Sequence, residues 1–166
     1  DEVARYWEQV IRLNEYQQHR FVERMLASMF NTLAEKRIAV LGFAFKANTG
    51  DTRESPAIPI CQALAAEHAK VVVHDPKALD NARKDLQNLG TAVTYESDVY
   101  AAAQGAHALV LLTDWAEYRE LDFTRILAGM VKPAFLFDGR NMLDGQRLHD
   151  MGFNVFAMGK APLTHL

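Results

Sequence analysis

Three loops of this sequence carry residue types that bind anions or hydroxyl groups, and each loop directly follows a short apolar run. The run at residues 38–41 leads into the segment 42–56, GFAFKANTGDTRESP, which supplies Lys46 and Arg53. The run at 134–137 leads into Asp138-Gly139-Arg140. Lysine and arginine hold phosphate groups, and the free backbone N–H groups at the start of a helix add to such a site. The pattern predicts that an anionic small molecule is the ligand.

The loop 42–56 does not match a standard phosphate-binding motif. Neither G-x-x-x-x-G-K-[ST] nor G-x-G-x-x-G occurs in it, because only the first glycine of the second pattern is present, at Gly42. A purely structural interpretation therefore stays open, in which the loop is solvated, Asp51 or Ser55 caps the following helix, and Arg53 pairs with Glu54 or another neighbour.

The other two loops also have structural alternatives. Arg140 can form an ion pair with Asp138 or Asp144 instead of binding a ligand. Asp75 follows the apolar run at 71–73, where an acidic residue receives ribose hydroxyls in dinucleotide-binding folds. Because the glycine pattern is incomplete, we interpret Asp75 as a turn residue before Pro76.

The elements that carry these loops alternate between strand and helix. Continuous apolar runs that are typical of buried parallel strands occupy 38–41, 71–73, 108–112 and 134–137, with weaker ones at 92–94 and 153–156. Helical patterns fill 58–67, 78–89, 98–104, 115–127 and 145–151. This order predicts an α/β fold, a Rossmann-like doubly wound parallel sheet.

A long helix is predicted before the first strand. Residues 1–34 contain no proline or glycine, and their apolar residues recur mostly at helical spacing, with an interruption near Asn14 left open. The apolar stripe is longer than one sheet covers, so part of it is expected to meet another domain or subunit. The alternative is a helix packed wholly on its own sheet.

Composition excludes several functional classes. The 166 residues carry a net charge of -3, which provides no general attraction to nucleic acid or anionic membranes. The six histidines show no metal-binding spacing, and the lone Cys61, inside a predicted helix, is interpreted as a buried small residue rather than a nucleophile. No apolar run is long enough to cross a membrane and the first residues lack a signal-peptide core, so we expect a cytoplasmic protein.

The segment 37–46, RIAVLGFAFK, followed by TGDTRES at 49–55, resembles the signature of the UDP-glucose 6-dehydrogenases in the UDP-glucose/GDP-mannose dehydrogenase family. The resemblance extends backward through VARYW and QVI and forward through GAHA, KPAF and FDGR, so it covers nearly the whole chain. One departure is Ala47-Asn48, where the family often has Lys-Asp. Any role for those two side chains stays open.

The resemblance implies that residues 1–35 are the end of a long central helix and 36–166 a UDP-sugar-binding Rossmann-like domain. The family oxidises UDP-glucose to UDP-glucuronate in two NAD-dependent hydride transfers through a cysteine adduct. Its NAD-binding domain and catalytic cysteine precede the central helix, and nothing in this sequence matches them. The chain alone is therefore expected to be inactive, with no catalytic residue of its own.

By motif position, Phe45, Lys46 and Arg140 resemble residues that contact the UDP-sugar, and Arg53 resembles an arginine that reaches NAD. The expected partners are UDP-glucose, the NAD-binding domain of the same polypeptide and further copies in a homo-oligomer. Two alternatives stay open, namely a domain of a related nucleotide-sugar dehydrogenase and a stand-alone nucleotide-binding or oligomerisation module.

Overall fold

A computed structural model describes all residues 1–166 and contains one six-stranded sheet. Every pair of neighbouring strands is parallel, and the order across the sheet is β3-β2-β1-β4-β5-β6. The strands are β1 (Arg37–Leu41), β2 (Lys70–His74), β3 (Val93–Tyr95), β4 (Ala108–Leu111), β5 (Phe135–Asp138) and β6 (Asn154–Ala157). This order is that of a Rossmann-type sheet and confirms the predicted fold class.

Helices connect the strands and precede the first one. They are α1 (Glu2–Ser28), α2 (Ala57–Ala66), α3 (Leu79–Asp85), α4 (Val99–Ala103), α5 (Phe123–Gly129) and α6 (Gly145–Met151), with 3-10 turns at Gln87–Ala92 and Ala116–Glu120. The strand order reverses between β1 and β4, so right-handed crossovers place helices on both faces of the sheet. The five strands other than β3 are consequently buried almost throughout, whereas the edge strand β3 exposes Thr94.

The helix α1 is shorter than predicted and uninterrupted at Asn14. It ends at Ser28 because Phe30 and Asn31 adopt positive φ angles of 64° and 60°, a conformation that does not continue a right-handed helix. The chain reverses there and buries Leu33 completely. The predicted helix at 115–127 is likewise divided, because Asp122 caps α5 by accepting a hydrogen bond from the Arg125 N–H (3.1 Å).

The core lies on both sides of the sheet, and α1 contributes only its C-terminal half to it. Val22 and Met25 of α1 are buried. All of residues 1–20 are exposed, apart from half-buried Val10 and Gln18. The second half of the helix is thus anchored to the sheet, whereas the first half presents its apolar stripe to solvent.

Candidate functional site

The loops that follow β1 and β5 meet the side of α1 in one cleft of about 770 Å³. Phe45 and Lys46 come from the loop after β1, and Arg140 comes from the loop after β5. The structure therefore brings together the three residues that the sequence singled out for a UDP-sugar. Two carboxylates, Glu15 of α1 and Glu54 of the first loop, line the same cleft.

The side chain of Arg140 is placed by the turn that follows β5. The buried Asp138 carboxylate accepts hydrogen bonds from the backbone N–H groups of Arg140 (3.1 Å), Met142 (2.8 Å) and Leu143 (2.9 Å). A Cβ at Gly139 would lie 2.8 Å from the carbonyl oxygen of Leu111, so glycine allows this turn to press against β4. Arg140 is thereby held at the edge of the cleft.

The guanidinium of Arg140 pairs with neither of the two acids expected from the sequence. Asp138 binds only backbone N–H groups in this turn, and the ion pair of Arg140 is with Asp114 at 3.8 Å. Both Arg140 and Asp114 are about two-fifths exposed, so this contact is weak and leaves the guanidinium free to bind a ligand. The structural alternative of an Arg140 ion pair with Asp138 or Asp144 is therefore not observed, because β4, which is followed by Asp114, lies next to β5.

The cleft combines positive charges with hydrogen-bond acceptors. Lys46 and Arg140 supply two cationic groups that can bind an anion, and Glu15 and Glu54 supply carboxylate oxygens that can accept hydrogen bonds from hydroxyl groups. The ring of Phe45 is 46% exposed, so it offers an apolar face to a base or sugar. With two cations and two carboxylates, the site favours a ligand that is both anionic and rich in hydroxyls.

Arg53 does not line this cleft. Its side chain is 87% exposed and holds Asp51 in a bidentate ion pair, with Nε and Nη2 each within 3.2 Å of a carboxylate oxygen. The Arg53 guanidinium lowers the pKa of Asp51 to about 2. The predicted pairing of Arg53 with a neighbour is therefore present, and its partner is Asp51 rather than Glu54.

Two buried residues hold the loop after β1, namely Asp75, which the sequence predicted to be a turn residue, and Thr113, which the sequence analysis did not consider. Asp75 is 3% exposed, and its carboxylate accepts hydrogen bonds from the N–H groups of Phe43 (2.7 Å) and Ala44 (2.9 Å). The same carboxylate also accepts hydrogen bonds from the backbone N–H groups of Lys77 and Ala78, both at 2.8 Å, and from Nε1–H of Trp115 at 3.2 Å. Its oxygens are occupied by five donors, which disfavours the ribose interpretation.

The second residue is Thr113, and together with Asp114 it follows β4. Both residues follow the apolar run at 108–112, whose carboxyl end lies at the same edge of the predicted sheet as the ends of the runs at 38–41, 71–73 and 134–137. Thr113 is completely buried against Gly42, at the start of the loop that carries Phe45 and Lys46. Inspection of every strand end would have found both residues.

Other candidate chemistry receives no support. Cys61 is a buried free thiol, and burial raises its pKa to about 12, so it is protonated at neutral pH. No group of three or more histidine, cysteine, aspartate or glutamate side chains is arranged to hold a metal ion. None of the helices is both long and apolar enough to cross a membrane.

Comparison with known proteins tests the resemblance. Residues 39–145 match the model of the UDP binding domain of the UDP-glucose/GDP-mannose dehydrogenase family. The chain belongs to this family. The matched region includes both loops of the cleft, with Phe45, Lys46, Arg53 and Arg140.

Individual relatives of this family agree with that assignment. UDP-glucose 6-dehydrogenase 1 of rice is 49% identical over 177 residues, an alignment that covers 96% of this chain and 37% of the rice protein. The fruit-fly UDP-glucose 6-dehydrogenase is 48% identical, covering 96% of this chain and 36% of its own length. The solved UDP-glucose dehydrogenase of Pyrobaculum islandicum aligns with a TM-score of 0.67 and 32% identity, covering 82% of this chain and 30% of that one. The chain therefore spans about a third of the length of these family members.

Proposed function

We propose that this chain is the UDP-sugar-binding domain of an NAD-dependent UDP-glucose 6-dehydrogenase, which oxidises UDP-glucose to UDP-glucuronate in two hydride transfers. The observation that carries the proposal is the meeting of Phe45, Lys46 and Arg140 in one cleft, from loops that lie almost a hundred residues apart. In this proposal the NAD-binding domain and the catalytic cysteine belong to another part of the polypeptide. The chain alone binds substrate without turning it over.

In this proposal, the charged and aromatic residues of the cleft bind different parts of UDP-glucose. Lys46 and Arg140 hold the diphosphate of UDP-glucose, and the exposed face of Phe45 packs against the ligand. Fixing the diphosphate orients the sugar toward whatever group reacts with it, and such orientation accounts for a large part of enzymatic rate enhancement. The domain thus contributes to catalysis by positioning.

Arg53 is the residue proposed to meet NAD, which accepts the hydride when it is bound. Its guanidinium is highly exposed outside the sugar cleft, so it is accessible to a cofactor carried by a neighbouring domain. Asp51 holds the guanidinium in place through Nε and Nη2 and leaves Nη1 free to donate to another group. These features fit a single charge-assisted contact to a cofactor phosphate.

Isothermal titration calorimetry of UDP-glucose with this chain tests the substrate assignment. Removing the charge of Lys46 or Arg140 with alanine is expected to weaken binding about 10- to 100-fold, the usual effect of losing a charge-assisted hydrogen bond. Arg53→Ala is the matched control, because it removes the same charge outside the cleft, and its affinity is expected to stay within about twofold of wild type. Unchanged affinity in both Lys46→Ala and Arg140→Ala refutes the proposal.

Two further measurements separate the alternatives. Tighter binding of GDP-mannose than of UDP-glucose favours a related nucleotide-sugar dehydrogenase. NAD reduction with UDP-glucose, measured for this chain and for a polypeptide in which an NAD-binding domain precedes it, is expected only from the longer protein. Equal absence of NAD reduction in both supports a nucleotide-binding module instead.

We further propose that α1 joins this domain to the NAD-binding domain and to a second copy in a homo-oligomer. Large apolar side chains along its first half, among them Trp7 at 59% exposure, have no cover in the chain. Sedimentation velocity is expected to show a dimer for wild type and for Gln9→Glu, and a monomer for Trp7→Glu. A monomeric wild-type chain at all concentrations contradicts this proposal.

We also propose a cytoplasmic location for the protein, which the single free cysteine, Cys61, suits.

A further inference from the structure

The backbone that leads to Phe45 and Lys46 is held on its N–H side by one buried carboxylate. Oδ2 of Asp75 accepts hydrogen bonds from the N–H of Phe43 at 2.7 Å and from the N–H of Ala44 at 2.9 Å. Asp75 is only 3% exposed, so both contacts lie away from bulk solvent. Two successive peptide groups are therefore tied to one side chain.

The carbonyl side of the same two residues is held by two buried hydroxyl groups. Ser55 Oγ donates to the carbonyl oxygen of Phe43 at 2.7 Å, and Thr113 Oγ1 donates to the carbonyl oxygen of Ala44 at 2.8 Å. The exposed fractions of Ser55 and Thr113 are 3% and 0%. Every backbone polar group of Phe43 and Ala44 is thus paired with a side chain, without help from a helix or strand.

The sheet order explains why these side chains are available. β1 lies between β2 and β4, so the loop after β1 runs between the ends of its two neighbours. Asp75 is the first residue after β2, Thr113 is the second after β4, and Ser55 stands two residues before α2. The loop after β1 is therefore hydrogen-bonded to Asp75 beyond β2, to Thr113 beyond β4 and to Ser55 before α2.

We propose that Asp75, Ser55 and Thr113 are positioning residues that set the place of Phe45 and Lys46 in the ligand cleft. This inference rests on the proposed function, because it concerns the same cleft. The peptide between Ala44 and Phe45 carries the Thr113 contact, so its orientation decides where the next two side chains emerge. The N–H of Phe45 donates to the carbonyl oxygen of Asp51 at 2.8 Å and completes the arrangement.

Thr113 offers a pair of variants that separates positioning from packing. Thr113→Val keeps the shape that fills the space beside Gly42 but removes the hydroxyl, whereas Thr113→Ser keeps the hydroxyl and removes a methyl group. Each variant loses one buried interaction, so urea denaturation is expected to show lower stability for both. If Thr113 had only a structural role, the loss of ligand affinity in each variant would follow its loss of stability, whether or not the hydroxyl group is present.

The positioning role predicts that ligand affinity follows the hydroxyl group. Calorimetry with UDP-glucose is expected to show a dissociation constant raised at least about fivefold in Thr113→Val, equivalent to losing one hydrogen bond of typical strength, and less than about twofold in Thr113→Ser. Equal affinities in the two variants overturn the inference. The Lys46→Ala and Arg140→Ala variants are measured alongside, because normal binding by both variants shows that the proposed function itself has failed.

A second readout needs no ligand. Amide hydrogen exchange of residues 43–46 is expected to be about tenfold faster in Thr113→Val than in wild type, and close to wild type in Thr113→Ser, because the freed carbonyl lets the segment open. Exchange that is unchanged in Thr113→Val overturns the inference even if UDP-glucose binds poorly to every variant.

Discussion

Replacing Gly42 by alanine tests whether the loop after β1 is as tightly confined as the geometry shows. Gly42 has a φ of +98°, and a Cβ built on it would lie 2.6 Å from the Cβ, Oγ1 and backbone N of Thr113. Rotation about χ1 can move only Oγ1, because the Cβ and the backbone N of Thr113 are fixed by the main chain just after β4. The substitution therefore combines an unfavourable backbone conformation with a steric clash.

Both contributions have known sizes. A left-handed conformation is unfavourable by about 1–2 kcal/mol for a residue with a Cβ, and overpacking a close-packed site by about 1–3 kcal/mol. We expect Gly42→Ala to lower the free energy of unfolding by about 2–5 kcal/mol, a large fraction of the roughly 5–15 kcal/mol typical of a domain. Urea denaturation followed by circular dichroism measures this difference.

Gly159→Ala is the matched control, because Gly159 also has a positive φ, of +71°, but no atom lies within 4 Å of a Cβ built on it. Only the conformational contribution of about 1–2 kcal/mol applies there. If Gly42→Ala destabilises the chain no more than Gly159→Ala does, the close approach of Thr113 to Gly42 is not a constraint and the reasoning is refuted.

Three other outcomes are expected. Met25→Ala removes a completely buried side chain of α1 and should lower the free energy of unfolding by about 2–5 kcal/mol in urea titration, whereas Ile11→Ala at an exposed position should change it by less than about 0.5 kcal/mol. Burial lowers the pKa of His74 below its ordinary 6.5, so the unfolded chain binds this proton more readily and stability should fall as pH drops below 6.5. Denaturation at pH 7.5 and 5.5 should show a smaller fall in His74→Gln, and an equal fall would contradict this cause. Cys61 should react with a thiol reagent at a measurable rate only after unfolding, and rapid reaction of the native chain would contradict its burial.

The strands of this fold were predictable because a parallel sheet covered on both faces requires continuous apolar runs. Each of the six strands overlaps a run recognised in the sequence, including the weak ones that became β3 and β6. The end of α1 was not predictable in the same way. No glycine or proline marks it. Asn31 is a weak local signal, because asparagine tolerates a positive φ, but Phe30 adopts the same conformation although its residue type disfavours it.

The cleft was partly predictable for a related reason. The carboxyl ends of parallel strands share one edge of the sheet, so Lys46 and Arg140 could be selected from their positions after apolar runs. Which acid faces Arg140 depends on the order of strands across the sheet. That order places β4 beside β5, and with it Asp114 beside Arg140. Sequence spacing alone contains no information about such lateral neighbours.

The exposed first half of α1 makes one wall of the cleft thermodynamically different from the others. Glu15 lies on a stretch of helix that buries almost nothing in the core, and isolated helical segments of this length are only marginally stable in water. Phe45 and Lys46, by contrast, stand on backbone that shares the cooperative stability of the sheet. In the monomeric chain, affinity for the proposed ligand is therefore expected to be linked to a local helix–coil equilibrium and to weaken on warming before the sheet unfolds.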